Sequence, residues 1–316
     1  MNVRIDDRPL RLIAAQVPTL TVRHRTTYRY RRPVAFGEHR MMLRPRDSQD
    51  QRQVEATLDI TPAPVDLRWM HDVFGNNVAI ARFGGRAREL TFLSTLRVEH
   101  RPQDDASIAA GLDRYAETHP FSYDASEIAD LHRLIERAYP DPTHQLDDWV
   151  RSCLGRTGPT ATLPMLAAIT HRIHRQLTYQ ARHESGIQPP VTTLRLGTGT
   201  CRDFAVLMME AARCLGLAAR FVSGYIYVPS RDRAGAAEHQ GGGNTHAWVQ
   251  IYLPGAGWVE FDPTNGIVGS RDLIRVATVR DPRQAIPLSG SWTGSATDCL
   301  GMEVAIQVTS NETDPQ

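Results

Sequence analysis

Hydrophobic and polar positions along this chain change their period near residue 100. Between 21 and 100, short runs rich in Val, Thr, Tyr and Phe are broken by turn formers. These are Arg32-Pro33, Pro62-Ala63-Pro64, Phe74-Gly75-Asn76-Asn77 and Phe83-Gly84-Gly85. Several strands at near-regular spacing predict a small sandwich-like β domain. From Pro102 the period lengthens. Ile128, Leu131, Leu134 and Ile135 predict a helix within 125–139, and Leu146, Trp149 and Val150 another within 142–154, punctuated by Pro140 and Pro142. Leu166, Ile169, Ile173 and Leu177 form the stripe of a third helix, 163–177. The pattern divides the chain into an extension (1–20), a β domain (21–100), a helical connector (101–155) and a core (156–316).

Within the core, 204–217 is apolar on nearly every side: Phe204, Val206, Leu207, Met208, Met209, Ala211, Ala212, Leu215 and Leu217. A helix apolar all round is buried, and Gly216 is its natural stop. Gly197 and Gly199 precede it, so Cys201 sits at its N-terminus. There the unpaired N–H groups and the helix dipole favour an anion, which lowers a thiol pKa and suits an oxyanion. The plainer reading is a space-filling buried cysteine. Cys214, mid-helix among apolar neighbours, fits that plainer reading better.

Farther on, Ala247, Val249, Ile251 and Leu253 alternate with His246, Trp248, Gln250 and Tyr252, the pattern of a half-buried strand. Pro254-Gly255-Ala256 is a turn and 257–262 a second strand. With a three-residue turn, Leu253 faces Gly257, Ile251 faces Val259, Val249 faces Phe261 and Gln250 faces Glu260. A one-residue slip would put Val259 and Phe261 on the wrong face. In this register Asp262 is a diagonal neighbour of His246, close enough to orient an imidazole. A thiol, a base and an orienter are the parts of nucleophilic catalysis. The pairing does not itself bring Cys201 to His246.

Composition narrows the classes. The chain has 316 residues, 41% hydrophobic and 22% charged, enough to build a core rather than remain disordered. Its 36 basic residues, all Arg, balance 35 acidic ones, which gives no case for nucleic acid as a partner. With no Lys there is no side-chain amine for a Schiff base or a cross-link within the chain. The arginines of the β domain, Arg44 and Arg46 among them, read most simply as solvated. Met1–Leu20 lacks a signal-type apolar run, and no stretch approaches a membrane span, so a cytoplasmic protein with no membrane partner is expected. Cys153, Cys201, Cys214 and Cys299 have no zinc-type spacing. His171 and His174 share a helix face but lack a third ligand, so no metal is expected. Gly241-Gly242-Gly243 lacks the Lys and helix of a phosphate loop. The segment 230–243, with His239, reads as a mobile, solvated lid beside the site. The oligomeric state is not legible.

Gly199-Thr200-Cys201-Arg202-Asp203-Phe204-Ala205, Thr245-His246-Ala247-Trp248-Val249 and Gly257-Trp258-Val259-Glu260-Phe261-Asp262-Pro263-Thr264-Asn265 resemble the three core blocks of the transglutaminase-like superfamily. Tyr28-Arg29-Tyr30, Pro33-Val34, Leu43-Arg44-Pro45-Arg46 and Asp72-Val73-Phe74-Gly75-Asn76 resemble the N-terminal domain of its bacterial branch, and Ile274-Arg275-Val276-Ala277 with Arg280-Asp281 also fits. The resemblance implies an α+β fold: a papain-like core, a buried helix on an antiparallel sheet, behind an N-terminal β-sandwich-like domain. It implies Cys201 as nucleophile, His246 as base and Asp262 as orienter, with no cofactor. The expected substrate is a peptide or protein amide, with a primary amine as possible acyl acceptor. A cysteine peptidase or amidase, and a non-catalytic binding module on the same scaffold, are the alternatives. Nothing resembles the calcium loops of the animal enzymes.

Overall fold

A computed structural model describes residues 17–155, 158–182, 186–231, 239–240 and 243–311. Most of the 1–20 extension, and residues 232–238 and 241–242 of the expected lid, lie outside the described residues. The first part holds β1 (Thr19–Met41), β2 (Gln51–Thr61), β3 (Asp66–His71), β4 (Asn77–Arg82) and β5 (Arg86–His100). Then come α1 (Asp105–Gly111), β6 (Thr118–His119), α2 (Ala125–Ile135), α3 (Gln145–Arg151), β7 (Thr160–Ala161), α4 (Thr162–Gln176), β8 (Thr178–Tyr179), α5 (Pro190–Leu196), β9 (Thr198–Gly199) and α6 (Cys201–Cys214). The remainder is β10 (Ala219–Ile226), β11 (His246–Leu253), β12 (Gly257–Asp262), β13 (Ile267–Val268), β14 (Leu273–Val279), β15 (Leu288–Thr293) and β16 (Cys299–Ser310).

The sandwich-like first region takes the form of one seven-stranded sheet curled about the long β1. The first half of β1 lies between β5 and β16; its second half pairs with β4 and β15. Its register against β5 shifts between Arg29 and Val34, and a shift of that kind bends a strand. The bend lets Tyr30, Val34, Phe36, Met41, Leu90 and Phe92 enclose one apolar cluster. Thus β15 and β16, read from the sequence as part of the 156–316 core, complete the first sheet instead. Hydrophobic period marks strands but not which sheet they join.

The second layer is an antiparallel sheet in the order β13-β12-β11-β10-β14, with α6 buried against it. The hairpin register is the one derived above: Val249 opposite Phe261, Ile251 opposite Val259, Leu253 opposite Gly257. Ala247, Val249, Ile251 and Leu253 pack with Phe204, Leu207, Met208 and Ala211 of α6. Each large apolar side chain buried there contributes roughly 1.5–3 kcal/mol, so a slipped register is not competitive.

Helix α6 starts at Cys201 because Thr200 and Asp203 form a reciprocal capping box. It stops where Gly216 takes φ +76°, with Leu217 N–H on Ala212 O (3.0 Å) and Gly216 N–H on Arg213 O (2.9 Å). Its apolar surround is interrupted by a buried ion pair, Arg213 Nη1 to Glu210 Oε1 at 2.9 Å. Glu210 accepts from the backbone N–H of Ala138 and Tyr139, and Arg213 donates to the carbonyls of Leu134, Ala219 and Arg280. The expected connector is therefore pinned to the core, and Ile108, Leu146 and Val150 share its apolar cluster.

The two sheets meet in two ways. Leu20, Val22, Leu96 and Val98 pack against Tyr225, Tyr227, Ile274 and Val276. Edge strand β14 would expose unpaired backbone, and two amide side chains from the first part close it. Gln51 exchanges hydrogen bonds with Arg275 N–H and C=O (3.0 Å each), and Asn76 with those of Thr278 (2.9 Å each).

Removing one partner of a buried ion pair strands the other charge, at about 3–5 kcal/mol. Arg213→Met should lower the unfolding free energy by that amount in urea titration. A loss below about 1 kcal/mol, the scale of an exposed pair, would show that the pair is solvated.

Candidate active site

Cys201 is the first residue of α6 and is buried. Two interactions hold it there. The parallel pair β8–β9 aligns Tyr179 with Gly199 and fixes the incoming chain. Asp203, fully buried, then gathers the surroundings: its Oδ2 accepts from Thr200 N–H (2.8 Å) and hydroxyl (2.9 Å), its Oδ1 from Gln188 N–H (2.7 Å) and Arg182 Nη2 (3.0 Å). A carboxylate at a helix start suits the dipole, and here it also ties Arg182 and Gln188 beside the thiol. The first-turn N–H groups of Cys201 and Arg202 lie ahead of the intrahelical hydrogen bonds.

His246 opens β11 and Asp262 closes β12; both side chains are fully enclosed. His246 Nε2 donates to Asp262 Oδ2 at 2.7 Å. Burial works against the imidazolium, but Asp262's charge and hydrogen bond, then the Cys201 thiol's, together hold the imidazole well above its ordinary pKa. Burial likewise opposes the Asp262 carboxylate, and the His246 charge and the hydrogen bonds of His246, Asn265 and Thr264 outweigh it, keeping that pKa low. Asp262 Oδ1 accepts from Thr264 N–H (2.9 Å), and Oδ2 also from Asn265 Nδ2 (2.8 Å).

An ionised carboxylate only accepts, so the proton between the two lies on Nε2. That leaves Nδ1 as the working nitrogen, and Nδ1 has no aligned hydrogen-bond partner among the described residues. The Cys201 thiol is near enough for its charge to act on the imidazole. The three residues singled out from the sequence are thus brought to one place. Trp248 stacks on the His246 ring, centroids 5.8 Å apart and planes 28° apart. It fits because Gly224 lies under it: a Cβ there would sit 2.7 Å from Trp248 Cη2 and 2.1 Å from Ile274 O. Beside Cys201 opens a cleft of about 380 Å³ walled by Ile187, Pro282 and Ile286, with Arg182, Arg202 and Arg283 at its margins.

Asn265, Asp203 and Gly224 support the site and were not singled out from sequence. Asp203, three residues after Thr200, carries a capping signal; Asn265 and Gly224 carry none without a structure. His171 and His174 hold the turn after Asp262: His171 Nε2 donates to Gly266 O (3.1 Å) and His174 Nδ1 to Thr264 O (2.8 Å). Among the described residues no group of three potential ligands could hold a metal. His239, expected solvated, has a largely enclosed ring bonded to Asp272 Oδ2 at 3.0 Å; a carboxylate partner overrides the polar loop around it. Cys214 donates to Asp147 Oδ1 (3.2 Å), and burial with that carboxylate pushes its thiol up to about 11.

Residues 20–99 match the family described as the bacterial transglutaminase-like N-terminal region, and residues 149–263 the transglutaminase-like superfamily. An uncharacterised protein of Mycobacterium tuberculosis is 28% identical over 295 residues, covering 90% of this chain and 91% of that protein. One from Mycobacterium leprae is 26% identical over 306 residues, covering 92% and 98%. A solved structure from Cytophaga hutchinsonii, assigned only provisionally as a cysteine protease, superposes with a TM-score of 0.68 at 20% identity, over 95% of this chain and 92% of that one. That likeness speaks to the fold.

Two outcomes follow from the geometry. A group with a raised folded pKa adds stability that is full below its ordinary value and lost as pH rises through the folded one; for a lowered pKa the loss comes as pH falls. The His246–Asp262 contribution should therefore be largest between 3.8 and 6.5, the ordinary values of the two groups. In urea unfolding across pH, the gap between the native protein and His246→Gln should narrow as pH climbs above that window; a gap that widens there contradicts the raised pKa. Gly224→Ala should cost about 1–3 kcal/mol by overpacking, and near-UV circular dichroism should report a displaced Trp248. An unshifted Trp248 signal with full stability would place the close approach elsewhere.

Proposed function

Because the chain belongs to the transglutaminase-like superfamily, in its bacterial branch, we propose that it performs thiol-dependent acyl transfer on a peptide or protein amide. The observation that carries this reading is the divided imidazole: Nε2 is committed to buried Asp262, and Nδ1, beside a thiol at a helix N-terminus, has no hydrogen-bond partner among the described residues. Cys201 is the nucleophile, His246 the base and Asp262 the orienter.

Nδ1 takes the thiol proton, or already holds it in a resting thiolate–imidazolium pair as the raised imidazole pKa favours, and sulfur bonds to the amide carbon. The carbonyl oxygen becomes an oxyanion, and the N–H groups at the start of α6 are its donors. The carbon–nitrogen bond then breaks, the imidazolium protonates the departing nitrogen, and a thioester remains. A primary amine or water, deprotonated by His246, adds to the thioester and releases the thiol. The apolar walls of Ile187, Pro282 and Ile286 provide for the side chain flanking the amide. Transferase and hydrolase differ only in the second nucleophile.

Mass spectrometry of a peptide library, incubated with and without a primary amine, separates the outcomes. Amine incorporation supports the transferase, and cleavage or deamidation alone the peptidase or amidase. No covalent change at all, with a folded protein, would leave a binding module. Cys201→Ala should abolish turnover, His246→Ala should cost about 10²–10⁴-fold, and Cys153→Ser and Cys214→Ser should leave it largely intact. Iodoacetamide at pH 6 should label Cys201 well ahead of Cys214; equal labelling of the two would remove the nucleophile assignment.

A further inference from the structure

The polar side of the core sheet carries a row of groups that the acyl-transfer reading does not use. Arg220 on β10 pairs with Gln250 on β11, and Gln250 with Glu260 on β12. The side chains follow that register: Arg220 Nε donates to Gln250 Oε1 at 2.8 Å, and Gln250 Nε2 to Glu260 Oε1 at 3.1 Å. Arg275 of β14 closes the row. It donates to Glu260, to Asp50 Oδ1 (2.9 Å) and to Ser48 Oγ (2.8 Å). The 42–50 segment between β1 and β2 closes over this row. A cavity of about 340 Å³ remains, lined by Arg46, Asp47, Asp50, Arg220, Trp258 and Arg275 among others.

Three arginines, Arg46, Arg220 and Arg275, and three carboxylates, Asp47, Asp50 and Glu260, meet at this cavity, but their pairing is uneven. Arg275 holds two carboxylates, Glu260 and Asp50. Asp47 is engaged by Gln53 N–H at 2.6 Å. Arg220 and Arg46 have no carboxylate within ion-pair range among the described residues. The Arg220 guanidinium lies over the Trp258 indole, Cζ 3.9 Å from the ring centroid, and its hydrogen bond is to a neutral amide. Burial first, then the charges of Arg275 and Arg46, push Arg220 down to about 9, with Glu260 opposing. The stacked indole fixes the guanidinium plane. With Nε engaged, the two Nη groups form the open edge of the fork.

We propose that this cavity binds a small oxyanionic ligand, its carboxylate or phosphate group held between Arg220 and Arg46. A planar guanidinium fork matches either group in geometry and charge. The anion would neutralise two cations that repel each other. The volume suits a whole small molecule, and the site lies between the two sheets, where ligand cavities concentrate. It stands apart from the Cys201 cleft and shares no lining residue with it.

Calorimetric titration of the full chain at constant ionic strength tests this with two probes, inorganic phosphate and succinate. Saturable 1:1 binding of at least one is expected; phosphate alone identifies a phosphate group and succinate alone a carboxylate. Arg220→Gln and Arg46→Gln should each weaken binding by about tenfold or more, as loss of one charge-assisted contact does, while Cys201→Ala binds like the native chain. Arg46 is on an exposed segment, so its variant tests the site even where Arg220→Gln fails to fold. The proposal is overturned by no binding of either probe at millimolar concentration, or by Arg46→Gln binding as tightly as the native chain.

Discussion

A carboxylate without any solvent contact is the constraint around which the second half of the molecule is arranged. An isolated buried Asp262 would simply stay protonated. It remains an anion because four donors converge on it: the His246 imidazole, the backbone N–H of Thr264, the Asn265 amide and, more distantly, the Asn265 N–H at 3.4 Å. Three of those donors come from the turn immediately after Asp262. That turn is itself held by His171 and His174, which reach its carbonyls from α4. The histidines that look like a metal motif thus serve the carboxylate at one remove.

The same constraint decides the tautomer of His246 and hence which nitrogen is left for chemistry. Its ring is also confined sideways by Trp248, whose room depends on the missing Cβ of Gly224 in the neighbouring strand. Carboxylate, imidazole and indole together fix one ring orientation before any substrate arrives. Pre-organisation of this kind is what the proposed acyl transfer asks of its base.

The hairpin, the buried helix and the thiol at its start were legible in the sequence because each rests on a local rule: a period of two, an apolar surround, a capping residue. Diagonal placement of Asp262 from His246 followed from matching apolar faces across a three-residue turn. What stayed illegible depends on contacts far apart in the chain. The pairing of β15 and β16 with β1 leaves no mark in their own alternation. The Glu210–Arg213 pair reads locally as two interruptions of an apolar helix, and backbone groups of Leu134, Ala138, Tyr139, Ala219 and Arg280 explain them. His239 read as solvated since its partner, Asp272, lies on a separate turn.

The union of the two sheets rests on more than apolar contact. Strand β14 is the edge of the core sheet, and its open backbone would recruit another strand if left bare. Gln51 and Asn76 each offer one acceptor and one donor in the spacing of a peptide unit, so two side chains imitate a neighbouring strand where a real one would fix the sheets in plane. The same join reaches the charged row. Gln51 caps the backbone of Arg275, and the Arg275 side chain runs from that edge to Glu260 and Asp50. One residue thus links the closed edge of β14 to the charged cavity beside it.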